Sequence, residues 1–194
     1  MNIGVCGGTF DPFHRGHLEP VLEIRGEMQW DRVIYIPAWR QPLKDRTPTS
    51  AYHRFAMAVL ATHRDPALFV SPVELERGGT SYTVDTLEEL HRISPNASFD
   101  WIIGDDAALH LLDWKDPERL FSLTRFIVLA RGGPAPAPEL AGRATAGKIV
   151  YVRNESVLIS STDIRARVCA GQPIDGLVDP LVSRYIQHYG LYRE

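Results

Sequence analysis

Near its start the chain reads Asn2-Ile-Gly-Val-Cys-Gly-Gly-Thr-Phe-Asp-Pro-Phe-His-Arg-Gly-His17, and much of the architecture follows from this stretch. The apolar run at positions 3–6 predicts a buried strand that ends at two glycines. From His17 onward, apolar residues recur at a helical spacing, at Leu18, Val21, Leu22 and Ile24. The predicted order is strand, glycine loop and helix start. In that layout main-chain N–H groups and the positive end of the helix dipole can face an anion, most often a phosphate.

Gly7 and Gly8 lack a Cβ, so the backbone can approach a ligand closely there. Glycine turns after a first strand are common in α/β proteins, so the glycines alone favour a plain structural turn. His14 and His17 shift the balance towards binding, because two imidazoles separated by a glycine can both point into one cleft. Beside a phosphate they would donate hydrogen bonds to oxygens that gain charge in a transition state. A zinc site is the weaker interpretation, because no third and fourth ligands follow at a suitable spacing.

Strand and helix patterns alternate along the rest of the chain. Apolar runs predict five further strands, at 32–37, 68–70, 98–103, 125–130 and 148–152. Helical patterns cover 50–62, the region around 84–90, the segment after 116–118, the start at 159–165 and 180–188. The alternation predicts the α/β class, with a Rossmann-like, doubly wound parallel sheet of five or six strands. We expect residues 1–194 to form one domain, with the helical part 160–194 packed on it.

Helix starts give local predictions. Ser50 is expected to cap a helix, and Asp116 followed by Pro117 is a typical start of another. Ser81 or Thr83 is expected to cap the helix around 84–90, although a ligand carboxylate could use the same free N–H groups. The apolar face of the helix at 50–62 is predicted to carry Tyr52, Phe55, Ala56 and Val59.

Composition narrows the class of protein. A hydrophobic content of 44% in 194 residues suits one sizeable core, and the net charge of −3 gives no sign of a nucleic-acid partner. Two cysteines argue against a disulfide framework, so we expect a cytoplasmic location. No apolar run approaches the length of a membrane span, and we expect neither a signal peptide nor a membrane partner. The oligomeric state stays open, with a homodimer as one option.

Three further places combine residues that could carry chemistry. Gly104 and Asp106 follow the strand at 98–103, where ligands of open α/β sheets bind; Asp106 could hold a ribose hydroxyl or simply begin a helix. Trp114 is more often a core residue than a platform for a ligand ring. Ser160, Ser161 and Thr162, with Arg165, are more than a cap needs and predict a second anion site. Two such sites suggest one nucleotide that is gripped from both sides.

Two segments are predicted to be loops. Segment 38–49 carries Arg40, Lys44 and Arg46, and it is either a solvated loop or a mobile basic arm over a phosphate-rich site. Segment 131–147 is rich in Gly, Ala and Pro and is predicted to be a flexible excursion. We expect these two segments to be the most mobile parts of the protein.

The stretch from Gly7 to His17 resembles the signature of the nucleotidyltransferase superfamily whose H/T-x-G-H motif binds ATP phosphates. Over about residues 3–193 the chain is similar to the bacterial nicotinate-nucleotide adenylyltransferases. The run from Ser81 to Leu87, together with Trp114, is what points to a pyridine mononucleotide within that superfamily. The resemblance implies adenylyl transfer from ATP to nicotinate mononucleotide in NAD biosynthesis, with release of pyrophosphate and no covalent intermediate on the protein.

The resemblance also implies roles for individual residues. Catalysis would use His14, His17 and Arg165. The mononucleotide would be bound by Thr83, Trp114, Lys115 and Lys44. Mg²⁺ would arrive with ATP, and no metal site made by the protein itself is expected. ATP would be bound by Gly7, Gly8, Thr9, Phe10, His14, His17, Gly104, Asp106, Ile159, Ser161, Thr162 and Arg165.

The chain departs from the family pattern in three places. Gln41-Pro42-Leu43-Lys44 stands where relatives often have Pro-Pro-His-Lys, Asp105 is an unusual acid, and Lys115 follows Trp114 where an aromatic residue can stand. Two alternatives remain at this point. One is a sibling transferase that acts on nicotinamide mononucleotide or phosphopantetheine, and the other is a non-catalytic nucleotide sensor with the same fold.

Overall fold

The structure is a computed structural model that describes residues 1–42, 48–130, 140, 142, 146–153 and 159–193. Its strands are β1 (Asn2–Gly8), β2 (Arg32–Pro37), β3 (Leu68–Val70), β4 (Ser98–Gly104), β5 (Arg125–Ala130) and β6 (Ile149–Arg153). The helices of this part of the chain are α1 (Arg15–Arg25), α2 (Ala51–Thr62), α3 (Val73–Arg77), α4 (Thr83–Ile93), α5 (Asp105–Ala108), α6 (Pro117–Leu123), α7 (Ser161–Cys169) and α8 (Pro180–Tyr189). A short 3₁₀ turn covers Leu111–Asp113.

The strands form one six-stranded sheet in the order β3-β2-β1-β4-β5-β6, and every pair of neighbours is parallel. The predicted fold class is therefore confirmed. Side chains of each strand alternate between two apolar clusters. Ile102 of β4 belongs to the cluster that also holds Ile24 of α1 and Ile186 of α8. Its neighbour Trp101 belongs to the other cluster, with Leu87 of α4. The sheet is thus covered on both faces, as a parallel sheet requires.

Short helices are the elements that the sequence patterns do not predict. α3, α5 and the 3₁₀ turn at Leu111–Asp113 each span at most five residues, which is too short for a helical period to stand out. The first helix begins at Arg15, slightly before the predicted start at His17. The six strands lie where they were predicted, with shifts of one or two residues at some ends.

The predicted apolar face of α2 is wrong. Tyr52 and Val59, which were assigned to the apolar face, are 66% and 40% exposed. The buried face instead carries Ala51, Arg54, Met57, Ala58 and Ala61. Apolar residues lie on several sides of this alanine-rich helix, and the one arginine that faces inward disguised the face that packs.

The predicted cap of α4 is also wrong. The N-cap position belongs to Tyr82, and no side chain caps this helix. The Ser81 hydroxyl accepts a hydrogen bond from the Trp39 N–H instead, and Thr83 is the first helical residue. Asp116, in contrast, caps α6 as predicted, by accepting a hydrogen bond from the Arg119 N–H.

Some expectations fall on residues that the structure does not describe. Lys44 and Arg46 lie outside the described residues, as do most positions of segment 131–147. The predictions of mobility for segments 38–49 and 131–147 therefore stay predictions. Among the described helices, none is both long enough and apolar enough to cross a membrane.

β1 lies against a tryptophan whose position is fixed. A Cβ built on Gly4 would lie 2.8 Å from Cδ2 of Trp30. The Trp30 Nε1–H donates a hydrogen bond to Asp100 Oδ2 at 2.7 Å, and Asp100 also accepts two hydrogen bonds from Arg125. The indole therefore cannot move aside without breaking this buried network.

We predict that Gly4→Ala lowers the free energy of unfolding by about 1–3 kcal/mol, because the added methyl overpacks a core that cannot relax. The free energy of unfolding is measured by urea denaturation, with circular dichroism as the probe. Gly26→Ala is the matched control, because nothing lies within 4 Å of its Cβ and its φ of −67° suits alanine. The control is expected to be neutral or stabilising by up to about 1 kcal/mol. A Gly4→Ala variant as stable as the wild type would contradict the packing account.

Candidate active site

The candidate site lies at the centre of the sheet, on its carboxyl edge. From the central neighbours β1 and β4, the strand order runs outward in opposite directions. Such a reversal leaves a crevice outside the strand ends, where ligands bind in open α/β sheets. β1 ends at Gly8 and β4 ends at Gly104. The glycine loop and the Gly104–Asp106 segment predicted from the sequence therefore lie beside this crevice.

The two histidines of the signature stack on each other at the start of α1. Their ring centroids are 3.6 Å apart with an angle of 22° between the planes. The His14 N–H donates a hydrogen bond to His17 Nδ1 at 3.2 Å, which leaves the Nε2 side of His17 for other partners. His14 is buried, at 4% exposure, whereas His17 is partly exposed. His17 is therefore the imidazole that a ligand can reach with less rearrangement.

Gly7 and Gly8 are needed first for packing. A Cβ on Gly7 would lie 2.6 Å from Cζ2 of Trp101, and one on Gly8 would lie 2.9 Å from Cε1 of Phe10. Aromatic rings thus fill the space beside Gly7 and Gly8 in which the sequence led us to expect the approach of a ligand. The main chain of both residues still ends β1 at the crevice, so backbone contact with a ligand survives this correction.

Phe10 is a core residue. Its side chain is 3% exposed and packs against Phe13, His17 and Tyr35. Its φ of 53° lies in the left-handed region, which is strained for a residue with a side chain. The aromatic packing holds this conformation, and it turns the loop towards α1. The Phe10 side chain is therefore enclosed in the core, which leaves its backbone for contact with a ligand, and its assignment to the ATP site stays a prediction.

The start of α7 is bound to the glycine loop. The Arg165 guanidinium donates a hydrogen bond from Nη1 to the Asp11 carbonyl at 2.7 Å, and the Ser161 hydroxyl donates to the Pro12 carbonyl at 3.1 Å. Ile159 lies against Gly16, because a Cβ built there would be 3.3 Å from the Ile159 Cβ. The structure therefore brings together the two anion sites that were predicted separately from distant parts of the sequence.

The three hydroxyls of α7 have different partners. Ser160 is the N-cap, and its side chain accepts a hydrogen bond from the Thr162 N–H. Ser161 reaches Pro12, and the Thr162 hydroxyl accepts a hydrogen bond from Arg165 Nη2 at 3.0 Å. Three hydroxyls are indeed more than a cap needs, and two of them position the loop and the arginine within the protein itself.

Asp106 lies over the end of β4. A Cβ built on Gly104 would be 2.5 Å from Asp106 Oδ1, so glycine at position 104 leaves room for this carboxylate. Asp106 is exposed, and its N–H donates a hydrogen bond to Asp105 Oδ1 at 3.1 Å. The acid that looked unusual, Asp105, thus helps to shape the turn that presents Asp106.

The residues predicted for the mononucleotide also converge, except Lys44, which lies outside the described residues. Thr83 begins α4, and Lys115 Nζ reaches the first turn of the same helix, where it binds the Asp85 carboxylate at 2.7 and 2.9 Å. The ammonium also lies 4.8 Å from the centre of the Tyr82 ring. Trp114 is partly buried, and its ring centroid is 6.3 Å from that of Phe126 in an edge arrangement.

Sequence reasoning missed Arg54. This residue of α2 is 1% exposed, and its guanidinium donates hydrogen bonds to three carbonyl groups, of Thr9, Trp39 and Thr49. Thr9 belongs to the glycine loop, and the other two flank the loop after β2. Burial lowers the pKa of Arg54, and the negative charge of Asp11 opposes this effect. The sequence contains one indication that Arg54 faces inward: it lies three and four residues before the apolar positions 57 and 58, on the same face of the helix.

Asp11 was also missed, although it lies inside the signature. Its carboxylate is 3% exposed and accepts hydrogen bonds from the Tyr192 hydroxyl at 2.7 Å and the Thr49 N–H at 3.3 Å. Burial alone would raise the pKa of Asp11. The hydrogen bonds from Tyr192 and Thr49, with the charge of Arg165, outweigh burial and lower its pKa below the usual 3.8. The loop is therefore tied down by a buried carboxylate that is ionised at neutral pH.

The buried carboxylate of Glu74 binds the first turns of α4. Glu74 is buried and accepts a hydrogen bond from the Thr86 hydroxyl at 2.6 Å, while Arg77 donates to that same hydroxyl at 2.9 Å. Burial raises the pKa of Glu74, against the opposing hydrogen bonds of Ser81 and Thr86. Ser81 also binds the backbone of Trp39, so the loop after β2 is joined to the segment that leads into α4. Among the described residues, no group of three or more His, Cys, Asp or Glu is arranged to hold a metal ion.

A parallel α/β sheet with two stacked histidines at the start of α1, beside the glycine loop, is the arrangement expected for a nucleotidyltransferase. The sequence model of the cytidylyltransferase-like family matches residues 5–167. A probable nicotinate-nucleotide adenylyltransferase of Clavibacter michiganensis is 41% identical over 193 residues, which cover 100% of this chain and 94% of that protein. One from Streptomyces coelicolor is 42% identical over 188 residues, 96% and 98% of the two chains. The chain therefore belongs to the nicotinate-nucleotide adenylyltransferases of the cytidylyltransferase-like family.

Solved structures agree on the fold. The nicotinic acid mononucleotide adenylyltransferase of Plasmodium falciparum, complexed with NaAD, superposes with a TM-score of 0.78 at 22% identity. The match covers 98% of this chain and 97% of that one. The same Plasmodium enzyme complexed with APC superposes with a TM-score of 0.77 at 21% identity. At such identities the comparison speaks for the fold alone.

We predict that Arg54→Met lowers the free energy of unfolding by at least about 3 kcal/mol. The substitution keeps most of the side-chain volume but leaves three carbonyl groups without their charged donor. Arg64→Met is the control, because its side chain is 70% exposed and its pairing distance to Asp179 is 3.9 Å. That change is expected to stay within about 0.5 kcal/mol of the wild type. Chemical unfolding measures the free energy of unfolding of both variants. Equal decreases in the two variants would show that Arg54 does not organise the loops.

Proposed function

We propose that this protein transfers the adenylyl group of ATP to nicotinate mononucleotide, and so forms nicotinate adenine dinucleotide and pyrophosphate in NAD biosynthesis. The observation that carries the proposal is the junction between the glycine loop and α7, in which Arg165 and Ser161 bind the Asp11 and Pro12 carbonyls. It sets two helix starts, a partly exposed imidazole and a guanidinium beside one crevice. The choice of the pyridine mononucleotide rests on the relatives of about 40% identity that span the whole chain.

In the proposed reaction a phosphate oxygen of the mononucleotide attacks the α-phosphorus of ATP. A new P–O bond forms, the bond from the α-phosphorus to its bridging oxygen breaks, and pyrophosphate leaves with that oxygen. The protein supplies no nucleophile, so its contributions are alignment and stabilisation of charge. His17 and Arg165 would donate hydrogen bonds to phosphate oxygens, and His14 would hold the ring of His17 through their stacking.

Further ATP contacts are proposed around this centre. The N–H groups at Gly7, Gly8, Thr9 and Phe10 and at the start of α7 would bind phosphate oxygens, and Asp106 would accept a hydrogen bond from a ribose hydroxyl. Mg²⁺ would neutralise phosphate charge when it arrives with ATP. That ion prefers phosphate oxygens and water to a protein cage, which fits a site without clustered protein ligands among the described residues.

The pyridine ring is proposed to lie between Trp114 and the start of α4. Tyr82 provides no capping side chain there, so the first N–H groups of α4 can bind a carboxylate. The Lys115 ammonium, which pairs with Asp85 in the same turn, offsets the negative charge of that carboxylate beside the site. Residues 1–194 are proposed to act as one nucleotidyltransferase domain in the cytoplasm.

We predict a preference for nicotinate over nicotinamide mononucleotide of at least about a hundredfold in kcat/KM. The amide replaces one carboxylate oxygen by an NH₂ group, which meets a helix N–H donor head-on. Thr83→Ala should mainly erode this ratio, whereas Trp114→Ala should weaken both substrates alike. ATP-dependent release of pyrophosphate is measured with a panel that includes both mononucleotides and phosphopantetheine. Equal rates with acid and amide, or no turnover with any of them, would overturn the assignment.

We predict that His17→Ala lowers kcat by about a hundredfold or more and leaves folding intact. Loss of one preorganised donor to the charge that develops in a transition state has an effect of this order. The imidazole is partly exposed but contacts Phe10 and His14, so some loss of stability is expected while the variant still folds. Steady-state kinetics and circular dichroism measure the two effects, and near-normal turnover in a folded variant would remove His17 from the mechanism.

A further inference from the structure

The chain returns to the glycine loop at its C-terminal end. α8 ends at Tyr189, and Gly190 turns the chain with a φ of 62°. The Leu191 N–H donates a hydrogen bond to the Ile186 carbonyl at 3.0 Å, which closes the turn. Tyr192 follows with a φ of 63°, a left-handed conformation that is strained for tyrosine. A strained residue persists only where its surroundings hold it, so the contact that Tyr192 makes is the feature to explain.

That contact is a hydrogen bond from the Tyr192 hydroxyl to Asp11 Oδ1, at 2.7 Å. The other oxygen of the same carboxylate accepts from the Thr49 N–H. Burial is the main cause that raises the pKa of Tyr192, and the negative charge of Asp11 raises it further. The hydroxyl therefore stays protonated, as a fixed donor, across the physiological pH range.

The carbonyl of Asp11 carries the second half of the connection. It accepts the hydrogen bond from Arg165 Nη1, so the side chain and the backbone of one residue are held from two directions. The C-terminal segment also touches the start of α1, where the Arg15 N–H donates to the Leu177 carbonyl at 3.0 Å. Tyr192 thus reaches the proposed phosphate site through a single intermediate residue.

We propose that Tyr192 is a positioning residue for adenylyl transfer: its hydroxyl orients the Asp11 carboxylate and thereby the Asp11 carbonyl on which Arg165 rests. This inference rests on the proposed function for its kinetic consequence, but not for its geometry. Without the hydroxyl, Asp11 can turn about its side-chain bonds and its carbonyl can shift, so Arg165 loses the support that aims it at the phosphates. The substrate that depends on Arg165 is ATP, and the mononucleotide side of the site lies on other elements.

The test compares Tyr192→Phe with Tyr185→Phe. Each variant loses one hydroxyl and keeps its ring. The Tyr185 hydroxyl, on α8, lies 2.9 Å from His53 Nδ1 and takes no part in the proposed site. Tyr192→Phe is expected to lower kcat/KM for ATP by about tenfold and to leave the KM for the mononucleotide within twofold of the wild type. Tyr185→Phe is expected to change both by less than twofold.

A second measurement does not depend on turnover. The titration of the Asp11 carboxyl is followed by ¹³C NMR in the wild type and both variants. The titratable and charged groups that face this carboxyl are Tyr192 of the C-terminal turn, Arg165 of α7 and Arg54 of α2, and Thr49 also binds it. In the wild type its pKa is expected below 3.8. Tyr192→Phe should raise it, because burial then meets less opposition, while Tyr185→Phe should leave it unchanged.

Each outcome decides the inference. A tenfold kinetic loss with a raised Asp11 pKa in Tyr192→Phe alone supports it. Equal kcat/KM for Tyr192→Phe and the wild type overturns it, as does an unchanged Asp11 pKa or an equal loss in both variants. A wild type that releases no pyrophosphate would remove the proposed function instead. In that case the Asp11 titration and the ATP affinity, measured by calorimetry, decide: weaker ATP binding in Tyr192→Phe supports the inference, and unchanged binding overturns it.

Discussion

The buried guanidinium of Arg54 is the contact on which the other parts of the site depend. Three carbonyl groups from two loops converge on it, and the ionised Asp11 supplies the nearby negative charge. A buried charge is unfavourable unless it is hydrogen-bonded and paired, so Thr9, Trp39 and Thr49 are fixed relative to α2 wherever the chain is folded. The glycine loop inherits that rigidity, and so do His14 and His17 at its end. Preorganised donors of this kind stabilise transition-state charge without moving during the reaction.

A chain of polar contacts extends from this centre to both halves of the crevice. On one side Asp11 is joined to Arg165, which places the start of α7 beside the glycine loop. On the other side the Trp39 carbonyl binds Arg54 while the Trp39 N–H binds Ser81, just before α4. Hydrogen bonds to backbone groups therefore fix the proposed ATP and mononucleotide regions relative to each other.

The sequence predicted the sheet, its parallel strands and the two helix starts that meet at the site. These features depend on apolar periodicity and on short motifs, and both are local in the chain. It could not predict that Ser161 and Arg165 bind the carbonyls of Pro12 and Asp11, because only the fold brings such distant positions together. The role of Arg54 was not predicted for a related reason. An arginine within a helix is usually assigned to the solvent face. Its hydrogen-bond acceptors here are main-chain carbonyl groups, which every residue has and which therefore leave no mark in the sequence. Gly7 illustrates the opposite error, because its missing Cβ makes room for the ring of Trp101 and not for the approach of a ligand.

A crystal structure of the protein with a non-hydrolysable ATP analogue tests the central claim most directly, namely that the glycine loop and the start of α7 bind the same triphosphate. The account predicts phosphate oxygens within hydrogen-bond distance of both the His17 imidazole and the Arg165 guanidinium, with the hydrogen bonds of Arg54 and Asp11 retained. A triphosphate bound by only one of these two groups, or bound away from the ends of β1 and β4, would contradict it.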